Sequence, residues 1–339
     1  MIFQMNFSHI CIGGGITGIE TTIKLVENYY GNLKSNKQKR LSIAIIDKDP
    51  NNIPGGVAYG LKSSKFGYFN NPIRLSPKSF QDWLFLKKNK LKLIKYLKLR
   101  GGKTGKKWIK NNKRKLLSSN KKVLAELYVP RAISNTWMEE KLIILLNKIR
   151  KNNYNCKISF FKGEVISINQ EDNGLKSISF KKDICKKLSL IIKKNSIKQL
   201  DFVEGKNLKQ LRSFTLSIGL GLPPPKQLAD KNVIKNKNYI WDFYAEGSTE
   251  RLLKLISNFS KKKIIVVYFI GYKAGLLEAL PELEQYISNK KQNLKLICSS
   301  KNLVSIQKAE RSKNRKSYKL SFFTSKNLKN IKTAKKIEE

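Results

Sequence analysis

A single histidine, His9, stands in 339 residues. No Ser-His-Asp set and no His-rich metal site can be assembled around it, so triad hydrolysis and histidine-held metals fall outside the chemistry open to this chain. His9 precedes a run of glycines in an apolar stretch and reads as a core or packing residue. Cysteine is scarce as well. Cys11, Cys156, Cys185 and Cys298 stand apart, with no C-x-x-C pair, which argues against structural zinc or a disulfide framework and makes a reducing compartment the default. Long apolar runs are missing too: Ile264 to Ile270 is among the longest, far short of the roughly 20 residues a membrane-spanning helix needs. The residues before the first glycines read as a lead-in and first strand, not as a cleavable signal. A soluble cytoplasmic protein is expected.

Acidic side chains are the other deficit. The chain has 24 Asp and Glu against 69 Lys and Arg, a net charge of +45. Such an excess is what a nucleic-acid binder shows. Here the excess is almost all Lys, is spread along the chain, and accompanies abundant Asn and Ile. That pattern reads as coding bias toward AAA, AAT and ATA codons. No specific nucleic-acid partner is expected, only salt-sensitive sticking to RNA or anionic lipid. The apolar content of 40% is ordinary for a globular chain, and the length allows one large domain or two smaller ones.

What the sequence does contain is concentrated at residues 7–20, where an apolar run, Ile10-Cys11-Ile12, breaks into Gly13-Gly14-Gly15 and restarts with helical spacing at Ile16-Thr17-Gly18-Ile19. Strand, tight turn and helix start follow one another. Gly13, Gly15 and Gly18 fit G-x-G-x-x-G, with a task for each: the sharp turn, backbone room for a pyrophosphate, and close contact of helix with strand. With Gly14, Ile16 and Thr17 they form a candidate dinucleotide cradle, at which the helix directs its free N–H groups and positive dipole end. Residues 39–46 form a second apolar run ending in Asp47 and Lys48, where a βαβ unit presents a carboxylate to a ribose hydroxyl. The plainer alternative is a glycine turn between core elements, with Asp47 a solvated acid.

Further along, Ile19, Ile23 and Val26 predict a helix from Thr17 to about Tyr29, stopped by Gly31. Residues 49–60 and 68–76 carry so many Pro, Gly and Asn that they read as functional loops. A helix opens at Ser79 with Phe80, Trp83 and Leu84 on its apolar side. Residues 98–122 include Gly101-Gly102-Lys103-Thr104, but without the P-loop spacing or a feeding strand, so a solvated basic loop is expected there. Pro130 starts an amphipathic helix carrying Trp137, Met138 and Leu142; Trp83 and Trp137 read as core. Residues 156–217 turn to short β-rich runs, an antiparallel insertion ending in a return strand at Ser217-Ile218-Gly219. Three prolines, Pro223 to Pro225, force an extended exit. A second strand-turn-helix spans 263–278, with a further strand at 293–298 and a loose tail from about Lys326.

Two βαβ units around an antiparallel segment resemble the two-dinucleotide flavoprotein plan. Gly13 to Gly18, Asp47, Gly55-Gly56-Val57-Ala58-Tyr59, Asn70-x-Pro72, Phe80-x-x-Trp83-Leu84 and Pro130-Arg131 occur in the order of the FAD/NAD(P)-binding family that includes FAD-dependent urate hydroxylase and aspartate N-monooxygenase. The resemblance implies a Rossmann-like α/β fold with FAD held at the first glycine turn and at the Gly219 strand exit. It also implies an NAD(P)H-using monooxygenase, in which reduced flavin captures dioxygen as a peroxide that hydroxylates a small nitrogen-containing molecule. Asn70 and Arg74 would hold the isoalloxazine edge or a substrate carboxylate, unless they make ordinary loop hydrogen bonds. Arg131, a cation at a helix start, is well placed only if it meets an anion such as the pyrophosphate.

Two departures bear on turnover. Ser217-Ile218-Gly219 stands where the family has Ala-Thr-Gly, and the second turn reads Gly271-Tyr272-Lys273, with Lys273 in place of the second glycine. A long side chain there should obstruct the NAD(P)H pyrophosphate, unless Lys273 pairs with the phosphate itself. The chain is also short for this family. A truncated FAD- or nucleotide-binding partner subunit without turnover is therefore the alternative function. The expected organisation is an FAD-binding domain over 1–155, the insertion over 156–217, a degenerate NAD(P)-binding-like unit over 218–305, and a basic tail over 306–339.

Overall fold

The computed structural model describes residues 5–31, 40–60, 67–193, 196–202, 208–219, 221, 232, 236–240, 242–243, 248–259, 264–270, 279–280, 283, 286 and 293–299. The second glycine turn with Lys273, the three prolines and the tail lie outside these residues.

The sheet begins with β1 (Met5–Ile12), whose C-terminal half, Ile10-Cys11-Ile12, is apolar and buried on both faces, as a central parallel strand requires. It pairs in parallel with β2 (Leu41–Asp47) on one side, His9 opposite Ile43 and Ile12 opposite Ile46. On the other side it pairs in parallel with β6 (Gln210–Ile218), His9 opposite Thr215 and Ile12 opposite Ile218. β3 (Cys156–Gln170) begins as the parallel outer neighbour of β2, Leu41 opposite Cys156, then continues into a hairpin with β4 (Lys176–Lys193). β4 pairs antiparallel with β3, with β5 (Ser196–Phe202) and, through residues 176–179, with β6. The resulting order is β3-β2-β1-β6-β4-β5. Residues 156–217 thus carry the antiparallel pairs, while the first half of β3 belongs to the parallel layer.

Helix α1 (Ile16–Gly31) makes the crossover from β1 to β2 and buries Ile19, Ile23 and Val26 against the sheet. Between β2 and β3 come α2 (Gly56–Tyr59), α3 (Lys78–Phe85), α4 (Lys87–Arg100), α5 (Gly102–Leu117), α6 (Lys121–Ala125) and α7 (Ile133–Lys151). One core joins α1, the helices α3 to α7 and one sheet face through Ile43, Phe80, Leu84, Trp137 and Leu142. A second core covers the other face through Ile10, Ile46, Phe161 and Phe180. Trp83 ties three helices together: its indole N–H donates to Glu140 of α7 at 2.9 Å, and Glu140 also pairs with Lys92 of α4.

Residues 98–122 are not the expected solvated loop. They are mostly helix, and Gly101 and Gly105 are packing positions. A Cβ on Gly105 would lie 2.4 Å from the Leu97 carbonyl oxygen, and one on Gly101 would lie 2.6 Å from it. α5 tucks its first turn against the end of α4, with Leu97 and Leu116 fully buried. Lysine is a good helix former, so a basic surface does not oppose this structure.

Farther on, α8 (Ser248–Asn258) packs Leu252 and Ile256 with Ile265 of β7 (Ile264–Ile270) in a separate core. β7 pairs in parallel with β8 (Asn293–Ser299), the pairing a second βαβ unit produces.

Candidate functional site

The C-terminal ends of β1, β2 and β6 converge on the glycine turn, the position at which an open parallel sheet presents its ligand crevice. The Gly13 N–H donates to the Ile46 carbonyl at 2.8 Å and the Gly219 N–H to the Ile12 carbonyl at 2.7 Å, so the turn is held from both sides. Gly13 has φ +99°, and a Cβ there would sit 2.2 Å from the Gly219 oxygen. Gly18 comes still closer to the turn, its Cβ position 1.9 Å from the Gly13 oxygen and 2.8 Å from the Cys11 sulfur. The sharp turn and the helix–strand contact therefore fall to the two glycines expected to make them.

At Gly15 the geometry differs from the expected open space. Its Cβ position lies 3.2 Å from the α-carbon of Gly56, so the backbone approaching this glycine is the chain's own. The loop that supplies it is well anchored. The Ile53 side chain lies against Gly14, 2.4 Å from where a Cβ would stand, and Gly55 lies against Asn135 Oδ1 of α7 at 2.3 Å from its Cβ position. Asn52 and Asn135 are buried. The Pro and Gly content of 49–60 marked this loop as functional, but no sequence signal pointed to the Gly15–Gly56 contact or to Asn135.

Asp47 links the two parts. One carboxylate oxygen accepts the Gly14 N–H at 2.8 Å, and the other accepts the Asp49 N–H at 3.0 Å and Asn52 Nδ2 at 3.4 Å. Asp49 in turn caps the short turn Pro50–Asn52 by accepting the Asn51 N–H. Lys48 projects into solvent.

The first hydrogen bond of α1 runs from the Ile19 N–H to the Gly15 carbonyl. The amides of Ile16, Thr17 and Gly18 therefore have no acceptor within the helix. Thr17 is exposed, and the first turn of α1 contains no acid. This end of the helix is electropositive.

Beneath the turn, His9 bridges β1 and β6. Thr215 Oγ1 donates to the Ser8 carbonyl at 3.1 Å, so it accepts from His9 Nδ1–H at 2.9 Å, and Nε2 accepts from Ser217 Oγ at 3.0 Å. Burial holds this imidazole below its ordinary pKa and pushes the neighbouring Cys11 thiol above its own. His9 is a neutral clasp between strands, and Ser217, where the family pattern has Ala, is its partner.

The remaining expected site residues lie on a second ribbon. Segments 67–73 and 127–131 run alongside one another: Phe69 N–H to Val129 O, Ile73 N–H to Leu127 O and Arg131 N–H to Gly67 O, at 2.8 to 3.0 Å. This brings Asn70, Arg74 and Arg131 into one stretch. Arg74 Nε pairs with Glu126 at 2.9 Å, Asn70 is exposed, and the Arg131 guanidinium lies against Gly67. The structure thus gathers Gly13 to Gly18, Asp47, Lys48 and Gly219 at the turn, and Asn70, Arg74 and Arg131 on the ribbon.

Among the described residues no group of His, Cys, Asp and Glu could hold a metal, and no helix is long and apolar enough to cross a membrane.

A family described as FAD-NAD(P)-binding matches residues 10–183, slightly more than half the chain. An uncharacterised protein of Mycobacterium tuberculosis (strain ATCC 25618 / H37Rv) is 22% identical over 293 residues, covering 83% of this chain and 48% of its own length. An uncharacterised protein of Mycobacterium bovis matches to the same extent. The chain spans about half the length of the curated relatives it matches. Among solved structures, the FAD-bound cadaverine monooxygenase DfoA of Erwinia amylovora aligns with a TM-score of 0.43 at 12% identity, over 87% of this chain and 51% of that one. A cyclohexanone monooxygenase aligns at 0.41 and 12% identity, over 87% and 39%.

Proposed function

This chain belongs to the FAD-NAD(P)-binding family, and from that premise we propose that it is an FAD-dependent oxidoreductase, an NAD(P)H-using monooxygenase that hydroxylates a small nitrogen-containing molecule in the cytoplasm. FAD is the cofactor that the family assignment gives it. One observation carries the reading: the acid-free start of α1 opens between β1 and β6, while Asp47, at the end of β2, holds the turn by the Gly14 amide.

The residues present fit the group. Glycines stand wherever the turn meets other backbone, so the surface around Gly15 is bounded by the α-carbon of Gly56 and not by a long side chain. The amides of Ile16, Thr17 and Gly18 would bind diphosphate oxygens, with the exposed Thr17 hydroxyl as a further donor. Asp47 would accept from the adenosine ribose on the lone pairs its present partners leave, and Lys48 offers a cation beside it. Asn70, Arg74 and Arg131 would orient the flavin ring edge or a substrate carboxylate, Arg131 through a guanidinium fork suited to planar anions. When bound, FAD supplies hydride acceptance and dioxygen activation. The protein's part is to bind, orient and exclude water, which needs no catalytic histidine.

Oxygen consumption by the FAD-loaded protein, driven by NADPH or NADH and stimulated by a small amine or amino acid, tests this reading. A second reading, a nucleotide-binding subunit without turnover, is favoured by Lys273 in the second turn. It expects FAD to be retained while neither NADH nor NADPH bleaches the flavin.

A further inference from the structure

We propose that the helical pair α4 and α5 is a docking surface for an anionic lipid bilayer. Between Asp82 and Glu126 the chain has sixteen Lys and Arg and not one Asp or Glu. Lysine is abundant throughout the protein, and a second acid-free basic stretch, between Glu310 and Glu338, carries ten Lys and Arg. Between Asp82 and Glu126 nothing in the sequence neutralises it locally.

The fold turns that composition into a surface. α4 buries Leu93 and Leu97 and α5 buries Leu116, with Gly101 and Gly105 bringing the two together. The opposite faces point outward. On α4 these include Lys88, Lys95 and Lys98, at intervals of seven and three residues, and on α5 Lys106, Lys110 and Lys113, at intervals of four and three, which keep each set along one side of its helix.

Two leucines decide which polyanion fits. Leu91 is 51% exposed and Leu99 73% exposed, and helical spacing puts both on the same outward face as Lys88, Lys95 and Lys98. Apolar side chains set among flexible ammonium groups suit an interface where leucine enters the acyl boundary and lysine reaches the phosphates. A single-stranded RNA would be met by exposed rings and guanidinium planes. The rings of these helices, Tyr96 and Trp108, are instead half-buried, and the Trp108 indole N–H donates to the Tyr128 carbonyl at 3.1 Å.

The test is co-sedimentation of the full chain with vesicles of phosphatidylcholine containing phosphatidylglycerol, at about 0.15 M salt. Binding is expected to these and not to pure phosphatidylcholine. Replacing Lys88, Lys95, Lys98 and Lys106 by Gln should weaken it roughly a hundredfold. Replacing four exposed lysines elsewhere, Lys157, Lys182, Lys209 and Lys254, should weaken it less than about threefold. The pair L91S and L99S should lose about tenfold with the salt dependence unchanged. Failure to bind anionic vesicles, or equal losses in the two four-lysine variants, would overturn the proposal. If RNA displaces the protein from vesicles and the leucine pair binds as well as the parent, the partner is RNA and not a membrane.

Discussion

Asp47 accepts the Gly14 amide at 2.8 Å and, through its second oxygen, the Asp49 amide at 3.0 Å. A single carboxylate thus holds the glycine turn and the following loop in register. Asn cannot accept from both amides as a carboxylate does, because one of its two positions is an NH2 donor. Asp47→Asn should destabilise the fold by about 1–3 kcal/mol and weaken FAD binding at least tenfold. Thermal unfolding and FAD fluorescence titration measure the two effects separately.

Gly18→Ala should be among the most damaging single-methyl changes in the chain. The added carbon would stand 1.9 Å from the Gly13 oxygen, a backbone atom, and 2.8 Å from the Cys11 sulfur. A loss of roughly 3 kcal/mol or more and of FAD retention is expected. Gly31→Ala is the matched control, because nothing lies within 4 Å of its Cβ position at the end of α1. Alanine there should leave stability unchanged or raise it by up to about 1 kcal/mol.

His9 gives stability a pH dependence of known sign. Its folded-state pKa lies below the ordinary 6.5 because burial disfavours the imidazolium. As pH falls below about 6.5 the unfolded chain takes up this proton before the folded protein does, so stability drops with acidification; above that pH the contribution is flat. His9→Gln should remove this part of the slope and cost about 1–2 kcal/mol at pH 7.5. Urea midpoints of both proteins between pH 5 and 8 make the comparison, which is clean because the chain has no other histidine.

Glu140→Ala leaves the Trp83 indole N–H without its acceptor and frees Lys92. A destabilisation of about 1–3 kcal/mol is expected, with FAD affinity unaltered. An equal loss of FAD binding would show that this three-helix joint supports the cofactor site directly.

The parts of this fold that could be read from the sequence are those in which one residue type has one physical use. An apolar run ending in Gly13 could be little but a buried strand meeting a turn, and the acid at Asp47 followed from the length of a βαβ unit. Residues 98–122 misled because a missing P-loop spacing does not distinguish a loop from a helix, and only the Leu97 carbonyl beside Gly101 and Gly105 shows that they are packing positions. Ile53, Gly56 and Asn135 were out of reach for another reason. Their contacts to Gly14, Gly15 and Gly55 join segments distant in sequence, and no periodicity within one segment records a meeting between two.

The central claim is that the turn from Gly13 to Gly18 holds a diphosphate. The most direct measurement is a comparative titration of the full chain with FAD and with riboflavin, which carries the same ring system without the diphosphate and adenosine. Tight binding of FAD that survives gel filtration, with riboflavin weaker by about a hundredfold or more and Gly18→Ala binding neither, is the predicted result. Equal affinity for the two flavins, or a colourless protein after incubation with FAD, would contradict it.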